Sequence, residues 1–132
     1  MRLALQGWGA ALLVVGVLDA LWLGWLARGF YMREMGDLMT PQVRWLPALA
    51  FYLAYPAGLS ALVLWPAPAT LTEATLRAAL VGLLVYATYD LTNLATLRHW
   101  SPRLALVDVA WGTVLSACAG AAAFLASRPP AP

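Results

Sequence analysis

Four stretches of the chain, residues 3–27, 43–65, 74–97 and 104–126, are apolar nearly throughout, and each is broken by few charged positions. A bilayer core about 30 Å thick needs roughly 20 mostly apolar helical residues to cross it, so each stretch is long enough for one span. Backbone amides in hydrocarbon must be satisfied internally, and runs of this length suit helices rather than the short alternating strands of a barrel. The pattern therefore predicts an all-α, integral membrane four-helix bundle, with residues 1–126 as a single four-span domain and a Pro-rich tail over 127–132. The first span exceeds a signal-peptide core, contains Asp19 and lacks a small-residue cleavage site before Arg28, so it is expected to remain as an anchor.

The connections carry their own signals. After the first span, Phe30, Met35, Leu38 and Met39 can share one helical face, with Arg33, Glu34 and Asp37 on the other, which suggests either a short interfacial helix or an ordered loop. Thr40-Pro41 reads as the cap and first turn of the second span. Pro66 and Pro68 break the chain, Thr70 with Glu73 has the spacing of a capping box, and Glu73 can pair with Arg77 one turn later.

Composition sharpens this reading. The 132 residues are 63% hydrophobic and 11% charged, too apolar for a soluble domain, which makes the lipid bilayer the first partner. A net charge of +2 gives no basic stripe for nucleic acid. One cysteine, Cys118, excludes an intrachain disulfide; it reads as a small packing residue, and His99 as a headgroup contact. No metal-ligand spacing is present, and neither a metal nor a cofactor is expected. Arg28, Arg33, Arg44, Arg98 and Arg103 fall on one side of the predicted bundle, against Arg2, Arg77 and Arg128 on the other. Basic residues favour the cytoplasmic side, so both termini are expected outside, with so small a bias leaving a dual topology open.

The informative residues are Asp19, Asp90 and Asp108, because a central charge in a span costs roughly 2.5 to 3.5 kcal/mol. At a rise of about 1.5 Å per residue they lie roughly 13, 12 and 8 Å from Arg28, Arg98 and Arg103, on one side and within about one helical turn of each other. The second span adds Tyr52 and Tyr55 at a matching level, where Pro56 frees the carbonyl of Tyr52. In the third, Tyr86, Asp90, Asn93 and Leu97 share a face. A buried polar pocket is predicted from these groups together with Trp22 and Trp111. The competing reading is that they simply hydrogen-bond the helices together or, for the tryptophans, pack the core or anchor at the interface. Gly16, Ala20 and Gly24, and likewise Gly112, Ser116 and Gly120, form small-residue stripes. Packing the first and fourth spans through them would bring Asp19 and Asp108 close enough to share a proton; one stripe could instead serve a homodimer.

The segments Leu18–Gly24, Tyr86–Leu97 and Val107–Gly112, with Phe30-Tyr31 and Phe51-Tyr52, resemble those of the bacterial domain-of-unknown-function 2177 family over nearly the whole chain. The resemblance implies a four-span inner-membrane protein and brings no established activity with it. From the residues, the leading expectation is a pocket that binds a small amphipathic or lipid-like ligand. Proton-coupled transport of a small molecule comes second. An intramembrane lipid-modifying enzyme comes third, because no nucleophile with an adjacent base is visible. A structural subunit of a larger complex is a further reading.

Overall fold

The computed structural model describes residues 1–128, so residues 129–132 of the expected tail lie outside the described part. Helix α1 (Arg2–Leu21) runs on into a π-turn at Trp22–Leu26, and together they form the first apolar span. The short α2 (Arg28–Met35) follows, then a 3-10 turn at Gly36–Leu38. The other spans are α3 (Trp45–Leu64), α4 (Leu71–Thr96) and α5 (Pro102–Ala126). The chain is thus an all-α bundle with four helices long and apolar enough to cross a membrane. Helix α5 touches each of the other three spans, packing most extensively along α4 and then α1, while α3 closes the bundle against α1.

Local chemistry sets the helix ends. Thr70 Oγ1 accepts the amide of Glu73 at 3.1 Å, as the capping box requires, but the Glu73 carboxylate reaches back to the amide of Ala69 at 2.7 Å rather than to Thr70. Glu73 and Arg77 form the expected one-turn pair. Ser101 caps α5 by accepting from the Leu104 amide at 2.9 Å, with Pro102 in the first turn. Thr40-Pro41 does not open the second span. Helix α3 begins at Trp45, and Thr40 instead folds locally onto Gln42 through its hydroxyl, the competing use of a threonine side chain at a turn.

Three further expectations are corrected by packing. The buried face of α1 is Gly7, Ala11, Val15 and Asp19, so the Gly16, Ala20 and Gly24 stripe is turned away from it, and no side chain comes near Gly16 or Gly24. The Gly112, Ser116 and Gly120 stripe is buried, yet it receives α4 rather than α1. A Cβ on Gly82 would meet Ser116 and stand 2.6 Å from the carbonyl of Gly112, and one on Gly120 would meet Ala78. In α2 the predicted polar face is also divided. Glu34 turns inward, where it accepts the Ser101 hydroxyl at 2.5 Å and faces Arg103 at 3.9 Å.

The interior has two parts. Toward the chain termini, Ala11, Val15, Leu59, Val63, Ala74, Ala78, Leu115 and Ala119 form a packed core of mostly small and branched side chains. At the other end Ala27, Tyr31, Trp100, Leu104 and Ala105 form a second cluster, built where α2 and the α4–α5 connection meet the spans. The outer surface is largely apolar, including Leu13, Leu62, Leu84 and Leu106, as expected of helices facing acyl chains. Trp25, Trp45 and Trp65 stand exposed at span ends, the positions of interfacial anchors. Cys118 lies on this outer surface rather than in the packing, because its helix turns the smaller Ala119 and Gly120 inward.

Candidate functional site

Between the two interior clusters, the three membrane aspartates are drawn together by indole and phenol donors. Trp111 on α5 donates its Nε1–H to Asp19 Oδ1 on α1 at 3.0 Å. Trp100, in the α4–α5 connection, donates to Asp90 Oδ1 on α4 at 3.1 Å. Tyr31 of α2 donates its hydroxyl to Asp108 Oδ1 on α5 at 2.5 Å and accepts the Trp22 indole N–H at 3.3 Å. Trp22 in turn stacks on Trp111, with ring centroids 4.4 Å apart and planes only 6° from parallel. Tyr52 on α3 stands beside Asp19. Asp108 adjoins Asp90 on one side and interacts across the site with Asp19 on the other. Among the described residues no ion pair reaches any of the three aspartates.

The π-turn helps produce this arrangement. Its wide bond, from the Ala27 amide to the Trp22 carbonyl at 2.7 Å, adds a residue to the last turn of the span and changes the direction in which the chain leaves it. Helix α2 then folds back so that Tyr31 is buried under the bundle, although it lies outside any span. Burial, and then the hydrogen bond to Asp108, hold the Tyr31 phenol well above its ordinary ionisation range, so it acts as a donor at physiological pH.

A cavity of about 670 Å³ opens beside these groups. Its polar wall includes Asp19, Asp108, Tyr52, Tyr86 and Arg28, and its apolar wall includes Leu23, Phe51, Val85 and the ring of Trp111. Asp90 and Trp22 stand behind that wall, Asp90 fully buried against Trp100 and Asp108, and Trp22 under Trp111. Tyr55 belongs elsewhere. Its hydroxyl stands 2.6 Å from Ser116 Oγ, which donates onward to the Gly112 carbonyl, so Tyr55 ties α3 to α5 in the packed core. Asn93 also stays outside the cavity, facing Tyr89 on its own helix. The structure thus gathers seven of the nine sequence-predicted positions around the cavity and its network; Tyr55 packs edge-to-face behind Tyr86, with ring centroids 6.2 Å apart, and Asn93 stays outside.

Sequence reasoning missed Tyr31 and Trp100 as members. Both lie in connections, where an aromatic residue reads as an interfacial anchor, and no local pattern distinguishes one that folds inward. Buried carboxylates in need of donors were the available signal, because an apolar bundle must supply N–H or O–H groups from somewhere.

The described residues hold no group of His, Cys, Asp and Glu side chains arranged to bind a metal ion. Neither the curated proteins nor the solved structures contain a match to this chain. A family model described as predicted membrane protein (DUF2177) matches residues 5–125, which spans all four apolar helices and every residue of the network, and the chain belongs to that family.

Proposed function

We propose that this protein binds a small amphipathic molecule inside the bundle, with the apolar body of the ligand in the cavity and its polar head against Asp19 and Asp108. The observation that carries the reading is the cavity itself, about 670 Å³ in a mainly aliphatic and aromatic wall into which two membrane carboxyl groups are set. Binding sites for small molecules characteristically combine a large apolar lining with a few convergent polar groups. Ionisable residues kept within a span, at a cost of a few kcal/mol each, characteristically mark ligand or ion pathways. The seat is a bacterial inner membrane with both termini outside, in keeping with five arginines at the α2 end of the bundle against three at the other.

Photoreactive alkyl amphiphiles with cationic, neutral and anionic heads test the reading in the protein reconstituted in lipid. Cross-links read by mass spectrometry are expected on Tyr52 and Tyr86 with at least one head, and Ala48→Trp, which fills the cavity from α3, is expected to remove them. Labelling confined to outward residues such as Leu13, Leu62 and Leu106 would sink the proposal.

A further inference from the structure

The carboxyl groups at and behind the cavity wall support a more specific assignment, which rests on the ligand-binding reading above. Asp90 is completely enclosed. Its Oδ1 accepts the Trp100 indole, while its Oδ2 has no donor among the described residues. The other side chain within hydrogen-bond reach of Asp90 is Asp108. An ionised carboxylate only accepts, so two carboxyl groups can bond to one another only when a proton lies between them. Asp108 is also the member of the pair that lines the cavity.

The surroundings of Asp108 leave that proton open to competition from one kind of ligand. Facing it are Asp19 from α1, Tyr31 from α2, Tyr86, Tyr89 and Asp90 from α4, and across the cavity Tyr52 from α3. Arg28 is the cation of the cavity wall, but it is exposed and forms no ion pair with either aspartate. A bare metal ion does not suit the site, since no ligand cluster is present and much of the wall is aromatic or aliphatic. An organic cation suits it, because an ammonium group is attracted both to carboxylates and to the faces of Trp and Tyr rings. A cation within about 4–6 Å of a carboxyl favours its ionised form, and so competes directly with the shared proton.

We infer that the cavity takes an organic amine cation carried on an apolar body, and that its binding displaces the proton shared by Asp90 and Asp108. The hydrogen bond between the two carboxyl groups opens, the O–H bond breaks, the proton passes to water and the ammonium group takes its place beside Asp108. One positive charge enters as one leaves, and no electrons are transferred. Asp90 is a positioning residue that holds the proton, whereas Asp108 meets the ligand.

Titration calorimetry of the protein in lipid nanodiscs tests this with octylamine, octanol and octanoate, each corrected against empty discs, in two buffers of different ionisation enthalpy near neutral pH. Octylamine is expected to bind at least about tenfold more tightly than the other two. Its binding should release protons, approaching one per amine as the buffer is made more acidic, and its affinity should fall as the pH is lowered. In Asp90→Asn the amide keeps the acceptor for Trp100 and donates to Asp108 in place of the proton, so both proton release and the pH slope should vanish. If that variant does not fold, the proton count of the natural protein decides by itself. Octylamine binding without proton release overturns the exchange, and equal or tighter binding of octanol or octanoate overturns the cation assignment; both outcomes leave the cavity reading intact. If none of the three binds while Tyr52 and Tyr86 are still photolabelled, this inference alone falls. If that labelling is absent too, both fall.

Discussion

The two halves of the bundle are made from the same four helices and solve opposite problems. Toward the termini, α4 and α5 approach so closely that Gly82, Gly112 and Gly120 have no room for a Cβ, and the interior is built mainly of small apolar side chains. Toward α2, large rings and carboxyl groups replace the small residues, and the helices enclose a cavity rather than a seam. Tyr86 marks the boundary, since its ring packs on Gly112 on one side and lines the cavity on the other. Inside a membrane there is no hydrophobic drive bringing one helix onto another, so close approach between small residues and hydrogen bonds between polar ones are the two available adhesives. This protein uses one at each end.

Substitutions can separate the two. The largest effect is expected from Gly82→Val, which forces a branched side chain into Ser116 and the α5 backbone and should cost about 3 kcal/mol in detergent-titrated unfolding. A loss below about 1 kcal/mol would show that the seam can yield and would weaken the contrast. Next, Asp90→Ala removes an acceptor enclosed with Trp100 and should cost about 2 kcal/mol, whereas Asp90→Asn, which keeps that acceptor, should cost about half as much. Equal losses would mean that packing volume rather than hydrogen bonding holds this end.

Tyr31→Phe deletes one donor to Asp108 and should cost about 1 kcal/mol near neutral pH. It also has a pH signature. The folded protein holds the Tyr31 proton above the ordinary phenol value of 10.0, so the folded state binds more protons than the unfolded chain once the solution passes that point. Stability from this group is therefore complete below about pH 10 and declines as alkali rises beyond it. The decline should be shallower in Tyr31→Phe than in the natural protein, as read from alkaline unfolding curves. The smallest effect is expected for Gly16→Ala, where the added methyl meets open space and stability should move by no more than about 0.5 kcal/mol. Measured beside Gly82→Ala, it asks whether the outward stripe on α1 is covered by anything within the chain.

Much of the fold can be read from the chain alone. The number of spans, the restart of α4 at Thr70 with Glu73, and the common depth of Asp19, Asp90 and Asp108 all follow from apolar length, capping chemistry and helical rise. The side each helix presents to its neighbours does not follow. Core and acyl chains are equally apolar, so a residue such as Gly16 carries no mark that separates it from Gly7, and only the packed bundle shows Gly7 inside and Gly16 near no other side chain. The same ambiguity hid Tyr31 and Trp100, since an aromatic residue near a span end is equally suited to the interface and to the interior.

Length, hydropathy and the cost of charge in hydrocarbon thus determined that the chain would form four spanning helices with acids at one depth, because those are properties of each segment taken singly. Tertiary structure decided which donors met those acids, that α5 would touch every other span, and that a π-turn and a folded-back α2 would place Tyr31 beneath Asp108. Those outcomes depend on how separate segments fit together, and fit between apolar surfaces leaves no trace in the order of residues along any one of them.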